Sequence, residues 1–223
     1  MPTRCRAACW IAVWLGSFPA STATGVVWNE VGSAGSLPAS AQVTTGLGDL
    51  TRITGNLVAL SEVDMFQIRI EDPLAFSAVT VAALGLHVPD PQLFLFDGAG
   101  RGVYMNDDAD GGLSGSQSAL PSGHPFGPLA PGLYYLAIAR FDNEPASDAG
   151  MIFPDSIQTA GATGPGAADP VISWNDDVIG SIDFETLYQI DLSGARPAPE
   201  PGTLVILGSA LAAWMALRRL GSH

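Results

Sequence analysis

The sequence predicts an all-β body, an antiparallel β-sandwich of the jelly-roll kind, set between two short apolar terminal segments expected to be helical. Three observations carry this. Short stretches of alternating apolar and polar residues recur along the middle of the chain, separated by Gly, Pro, Asp and Ser, the pattern of strands and turns. Of 223 residues, 26 are Gly and 17 are Pro, a content that favours turns over long helices. The chain carries a formal charge of −13 and is only 14% charged, yet its mean hydropathy is positive. Its apolar residues must therefore be concentrated, and they are, at both ends.

Residues 1–23 form the first concentration. Arg4 and Arg6 precede the apolar run Ala7 to Phe18, and the small residues Pro19 to Ala23 follow. A basic start, a short apolar run and a small-x-small site make a secretory signal peptide. Ser21 and Ala23 suit the −3 and −1 positions, so a signal peptidase is expected to cut after Ala23. The competing reading is an uncleaved anchor, for which the run is short, since a span needs about 20 residues. Both cysteines, Cys5 and Cys9, lie here. Cys9 precedes most of the apolar run and so does not suit lipid attachment. The exported body at 24–196 is then free of cysteine and cannot use disulfides.

Within the body, the first strand signal is Leu50 to Val58 and the clearest is Asp64 to Ile70, where Phe66, Ile68 and Ile70 alternate with Met65, Gln67 and Arg69. That alternation is a half-buried strand. Phe76 to Leu84 reads as a buried strand, a pattern that a helix would also satisfy. Gln92 to Phe96, Gly102 to Met105, Leu133 to Ala139 and Thr186 to Leu192 complete the series.

Charge excludes one class of partner. All nine basic residues are Arg, and residues 24–198 keep five of them against 21 of the 22 acids, a formal charge of −16. Such a surface repels phosphate backbones and anionic lipid, so no nucleic acid is expected as a partner.

The most chemical run is Asn106-Asp107-Asp108-Ala109-Asp110-Gly111. Alternating side-chain oxygens before a tight glycine turn can wrap Ca²⁺. The twelfth position is Gln117 where an EF-hand needs Glu, so this is no EF-hand. The candidate ligands are Asn106, Asp107, Asp108 and Asp110, with Asp97 the favoured completion and Asp64 or Asp72 the others. A solvated acidic turn is the alternative, since Asn and Asp favour turns anyway. Asp176 and Asp177, beside Trp174, are a paired-carboxylate candidate for glycoside hydrolysis. A loop turn next to a core or rim Trp is the favoured explanation of them. His87, His124 and His223 have no metal-binding spacing, and Ser114 lacks the second glycine of a nucleophile elbow. No catalytic residue is expected.

The second apolar concentration closes the chain. Pro199-Glu200-Pro201 precedes the uncharged run at residues 202–217, which ends at Arg218 and Arg219. The run is marginal for a span of about 17–25 residues, although flanking arginines snorkel. With the body exported, the arginine pair stays cytoplasmic, which makes the segment an inner-membrane stop-transfer helix. Prolines keep the preceding peptide extended.

This arrangement, at 197–223, resembles the PEP-CTERM sorting signal of Gram-negative bacteria. The resemblance implies processing near Pro199-Glu200-Pro201 by an exosortase, a membrane-embedded cysteine transpeptidase. Its destination would be the cell envelope or an extracellular polysaccharide matrix. Separately, Asp90 to Asp97, Gly100, Asn106 to Asp108, Ser114, Ser118 and Pro131 to Tyr135, with Gly55 to Leu57 and Val63 to Phe66 upstream, resemble the bacterial pre-peptidase C-terminal domain over about residues 47–140. That resemblance implies a secreted, mostly non-catalytic jelly-roll module. The expected protein is thus a non-enzymatic surface or matrix protein. The alternatives are a carbohydrate-binding module, with Trp28, Trp174, Tyr104 or Tyr134 against a sugar, and a polysaccharide hydrolase. Residues 141–185 are expected to form a long excursion before the last strand.

Overall fold

The computed structural model of the chain describes residues 25–82, 88–109, 117–154, 161–175 and 186–199. The expected signal peptide with its Ala23 cut lies outside these residues. So do Asp110, Asp176, Asp177, Glu200, Pro201, Arg218, Arg219 and the expected helix at 202–217. Among the described residues there are strands and turns but no α-helix, and no helix long and apolar enough to cross a membrane.

The first of two large sheets takes the order β1-β3-β13-β5-β8. Its strands are β1 (Val26–Asn29), β3 (Leu50–Leu57), β5 (Ser77–Thr80), β8 (Ala119–Leu120) and β13 (Thr186–Ser193). The second runs β14-β4-β9-β6-β7, through β14 (Ala195–Pro197), β4 (Asp64–Ile70), β9 (Gly132–Arg140), β6 (Pro91–Asp97) and β7 (Gly102–Asn106). The short β2 (Gln42–Val43) pairs with β4 beside Phe66 and Gln67, and β14 takes the same edge from Ile68 to Ile70.

The sheets are mixed, which corrects the expected all-antiparallel pairing. β1 lies parallel to β3 and β2 parallel to β4, while every other pair is antiparallel. Both parallel strands come from the first 20 described residues, which wrap along existing edges and reach them through long connections.

Period-two alternation explains how the sheets meet. Phe66, Ile68 and Ile70 of β4, Leu93 and Leu95 of β6 and Leu136 and Ile138 of β9 face Ile53, Leu57, Tyr188 and Ile190 across one buried core. In β3 the alternation slips, because the β1–β3 register shifts between Val26 and Val27. That irregularity lets Leu50 and Ile53, three apart, both point inward.

The other face of the second sheet is also covered. Met65, Phe94, Phe96, Met105, Ala137 and Ala139 pack under Ile152, Phe153 and Val171 in a second core. The expected excursion supplies this lid. It contains a small sheet of β10 (Pro145–Ser147), β11 (Gly150–Met151) and β12 (Ser173–Trp174), ordered β11-β10-β12. Trp174 stands edge-on to Phe94 and Phe96 at 5.2 and 6.4 Å and donates its indole N–H to Ser36 O. The strand expected to be half-buried, β4, is therefore covered on both faces at Met65 and opens only at Gln67 and Arg69.

Folded structure continues slightly beyond residue 196. Pro197 is buried in β14, and Ala198 N–H donates to Thr44 Oγ1 at 3.2 Å.

Candidate functional site: two buried acidic centres

The acid run does not gather the ligands expected of it. β6 and β7 form a hairpin in which Leu93 pairs with Asn106 and Phe96 with Gly102. Asp97 therefore sits at the turn and Asn106 at the far end, about 13 Å away at four residue steps. Asp97 instead closes its own turn, its Oδ1 accepting N–H bonds from Ala99 and Arg101 at 2.8 and 2.9 Å. Asn106 is likewise committed. Its Oδ1 accepts from Ala119 N–H at 2.8 Å and its Nδ2 donates to Asp108 O. Asp72 caps another turn through Leu74 and Ala75. Among the described residues, no three His, Cys, Asp or Glu side chains already converge to hold a metal ion.

What Asp107 meets comes from elsewhere in the chain. It follows the outward-facing Met105 at alternate spacing and lies one step beyond the Leu93–Asn106 pair, opposite Gln92. Gln92 is fully buried, and Asp107 is 5% exposed. Burial, followed by the charges of Asp90, Asp108 and Glu144, pushes the Asp107 carboxyl up to about 7, and Gln92 partly offsets them. Glu144, just after β9, accepts Asn175 Nδ2 at 2.9 Å and Gln92 Nε2 at 3.4 Å. Among the described residues, Asp107 Oδ1 and Gln92 Oε1 have no hydrogen-bond donor.

The second centre was invisible in the sequence. Asp64 opens β4 and is fully buried. Its Oδ2 accepts the Tyr188 hydroxyl at 2.8 Å and its Oδ1 accepts Ala34 N–H at 3.3 Å. The same hydroxyl stands 3.4 Å from Glu30 Oε2, which also accepts Asn56 N–H at 3.0 Å. Burial, then the charge of Glu30, pushes Asp64 up to about 7, and burial likewise raises Glu30. Gly55 is required here, because a Cβ at that position would collide with Glu30 Oε2 and the Tyr188 hydroxyl. A groove of about 340 Å³ opens over Glu30 and Tyr188, bordered by Asn29, Asn56 and Gln189.

The aromatic candidates separate clearly. Tyr104 is fully buried, Trp174 is built into the second core, and Trp28 is half-buried with its N–H bonded to Gln42. Tyr104 therefore has no free face for a sugar, while Trp28 and Trp174 are partly packed against the two cores. Tyr134 borders a cavity of about 410 Å³ with Asp97, Phe126 and Leu129. Its hydroxyl donates to Ala130 O at 2.7 Å. Phe126 is 52% exposed and Leu129 93%.

Compared with known protein families and with curated proteins, the chain matches none.

Proposed function

We propose that this chain is a non-enzymatic exported surface or matrix protein whose body is a jelly-roll-like β-sandwich. A signal peptidase would remove residues 1–23, and the segment at 202–217 would hold the precursor in the inner membrane. An exosortase would then cut near Pro199-Glu200-Pro201, passing the body to the envelope or an extracellular polysaccharide matrix.

One observation carries this reading. β14 lies on a sheet edge, and among the described residues Ala198 N–H makes the last backbone tie to the body, so the described strands end before Pro199. A cut at the motif would leave every described strand in place. The test is cell fractionation of the full chain against a chain stopped after Ala198. Loss of the membrane-held precursor and of envelope delivery in the shortened chain is expected. Identical distribution of the two chains would overturn the sorting role.

A carbohydrate-binding body is the second reading, favoured by the Tyr134–Phe126 cavity and its Asp97 carboxylate. Aromatic faces suit sugar rings, and a carboxylate accepts hydroxyl protons. A glycan array on the exported protein checks it, with Phe126→Ala expected to abolish any signal.

A further inference from the structure

We propose that Asp107 and Gln92, ringed by the carboxylates of Asp90, Asp108 and Glu144, bind a hard divalent cation, Ca²⁺, at the open end of the β6–β7 hairpin. The proposal is independent of how the protein is sorted.

The reasoning begins with unmet acceptors. Asp107 Oδ1 and Gln92 Oε1 are both buried, and among the described residues neither receives a donor. An unsatisfied buried acceptor costs about 1–3 kcal/mol, more if charged. Two neighbouring orphans lined up at adjacent strand ends indicate a common partner. That partner must be a donor or a cation.

The surroundings favour a cation. Among the described residues, the charges acting on Asp107 are negative, from Asp90, Asp108 and Glu144. Arginine does not relieve it. Arg140 is the one buried arginine among the described residues, and it turns to the opposite face, donating to Thr186 Oγ1 at 2.8 Å. Buried carboxylates without a positive partner either neutralise or coordinate a metal.

The donor set selects the ion. All the donors are oxygens, which suits hard cations over zinc or copper. Among the described residues, three carboxylates do not already converge on one point, so an amide oxygen and water would complete the sphere. Ca²⁺ takes such mixed spheres of 6–8 ligands in flexible geometry, whereas Mg²⁺ demands a tight octahedron. Glu144 is pre-positioned by Asn175, which grips both its side chain and its backbone. The ion would thereby join the hairpin end to the lid that covers the second core.

Thermal unfolding of the full chain in mild detergent, with Ca²⁺ at millimolar concentration or with chelator, is the experiment. Mg²⁺ and NaCl at matched ionic strength accompany it. Ca²⁺ alone is expected to raise the midpoint by about 5 °C. Asp107→Asn should weaken Ca²⁺ binding at least about tenfold by calorimetric titration, while Asp97→Asn leaves it unchanged. If Asp107→Asn fails to fold, Glu144→Gln replaces it and should show the same loss. An identical midpoint with Ca²⁺ and chelator overturns the proposal and leaves Asp107 as a protonated acid. Equal stabilisation by NaCl overturns it too, since that is screening of the −16 body. Undiminished Ca²⁺ binding in the variants would place the ion elsewhere.

Discussion

The Asp64 and Asp107 centres are alike in burial and in the upward push on their carboxyls, yet they resolve that cost differently. Asp64 has a donor on each oxygen, Tyr188 on one and Ala34 N–H on the other. Asp107 keeps an oxygen with none, opposite an amide oxygen in the same condition. Asp64 itself is closed by the protein's own groups, although its neighbour Glu30 keeps one buried oxygen, Oε1, without a hydrogen-bond partner among the described residues. The first centre ties β1, β4 and β13 together across the inner core, since Glu30 follows β1 and Tyr188 belongs to β13. The second is assembled where strand ends meet the lid and needs something from outside. Burial and charge alone therefore do not distinguish a structural acid from a binding acid. The donors reaching each acid's own oxygens separate Asp64 from Asp107.

The largest expected effect tests the closed centre through pH. Asp64 titrates at about 7 in the fold against 3.8 as its ordinary value. The folded state thus holds a proton that the unfolded state has released between these limits. Stability is full below about pH 4 and declines as pH rises through 7. The loss is of order 4 kcal/mol, at about 1.4 kcal/mol for each pH step. Glu30, also raised, acts in the same direction, and Glu62 and Tyr188 face the same carboxyl. Asp64→Asn should remove the Asp64 share and flatten the profile. Urea unfolding from pH 4 to 8 checks this, and an unchanged slope in Asp64→Asn would show that the acid is not held protonated.

Next in size is Tyr188→Phe. The ring still packs edge-on to Phe66 at 6.4 Å, so the change isolates the hydroxyl. Removing the donor shared by Asp64 and Glu30 should cost about 2–3 kcal/mol at neutral pH and less at pH 4. A pH-independent cost would mean that the hydroxyl only fills space. Gly55→Ala should follow at about 1–3 kcal/mol, because Glu30 or the Tyr188 hydroxyl must move aside. The same denaturant titration reads it, and a neutral result would show that the network relaxes freely.

How much of this was legible in the sequence follows from the length of each signal. β3, β4, β6, β7, β9 and β13 span five to nine residues, long enough for a period to show. β2, β8, β11 and β12 have two residues each and carry no period at all. The second core left a faint trace in Gln92 to Phe96, where apolar residues run on without alternating, as in strands covered on both faces. The Asp107 centre was half legible, because the acid run is local while Gln92 and Glu144 arrive only through strand register. The Asp64 centre was not legible. Glu30 and Tyr188 stand 158 positions apart, and no local pattern links them.

The smallest expected effect comes from an acid that the surface resolves by itself. Asp191 of β13 lies directly across from Arg52 of β3, and the guanidinium meets it with Nε at 2.7 Å and Nη2 at 3.2 Å. Both side chains are about 40% exposed, so water screens the pair and already solvates each partner. Hydrogen bonding to Asp191 raises the Arg52 guanidinium further above its ordinary value, which leaves its charge unchanged at any ordinary pH. A double-mutant cycle of Arg52→Ala and Asp191→Ala should give a coupling well below the effect of Tyr188→Phe, and 1 M NaCl should erase most of it. The buried centres should keep their effects in the same salt. A surface coupling as large and salt-resistant as that of Tyr188→Phe would break the contrast, because exposure would then make no difference to what a paired acid contributes.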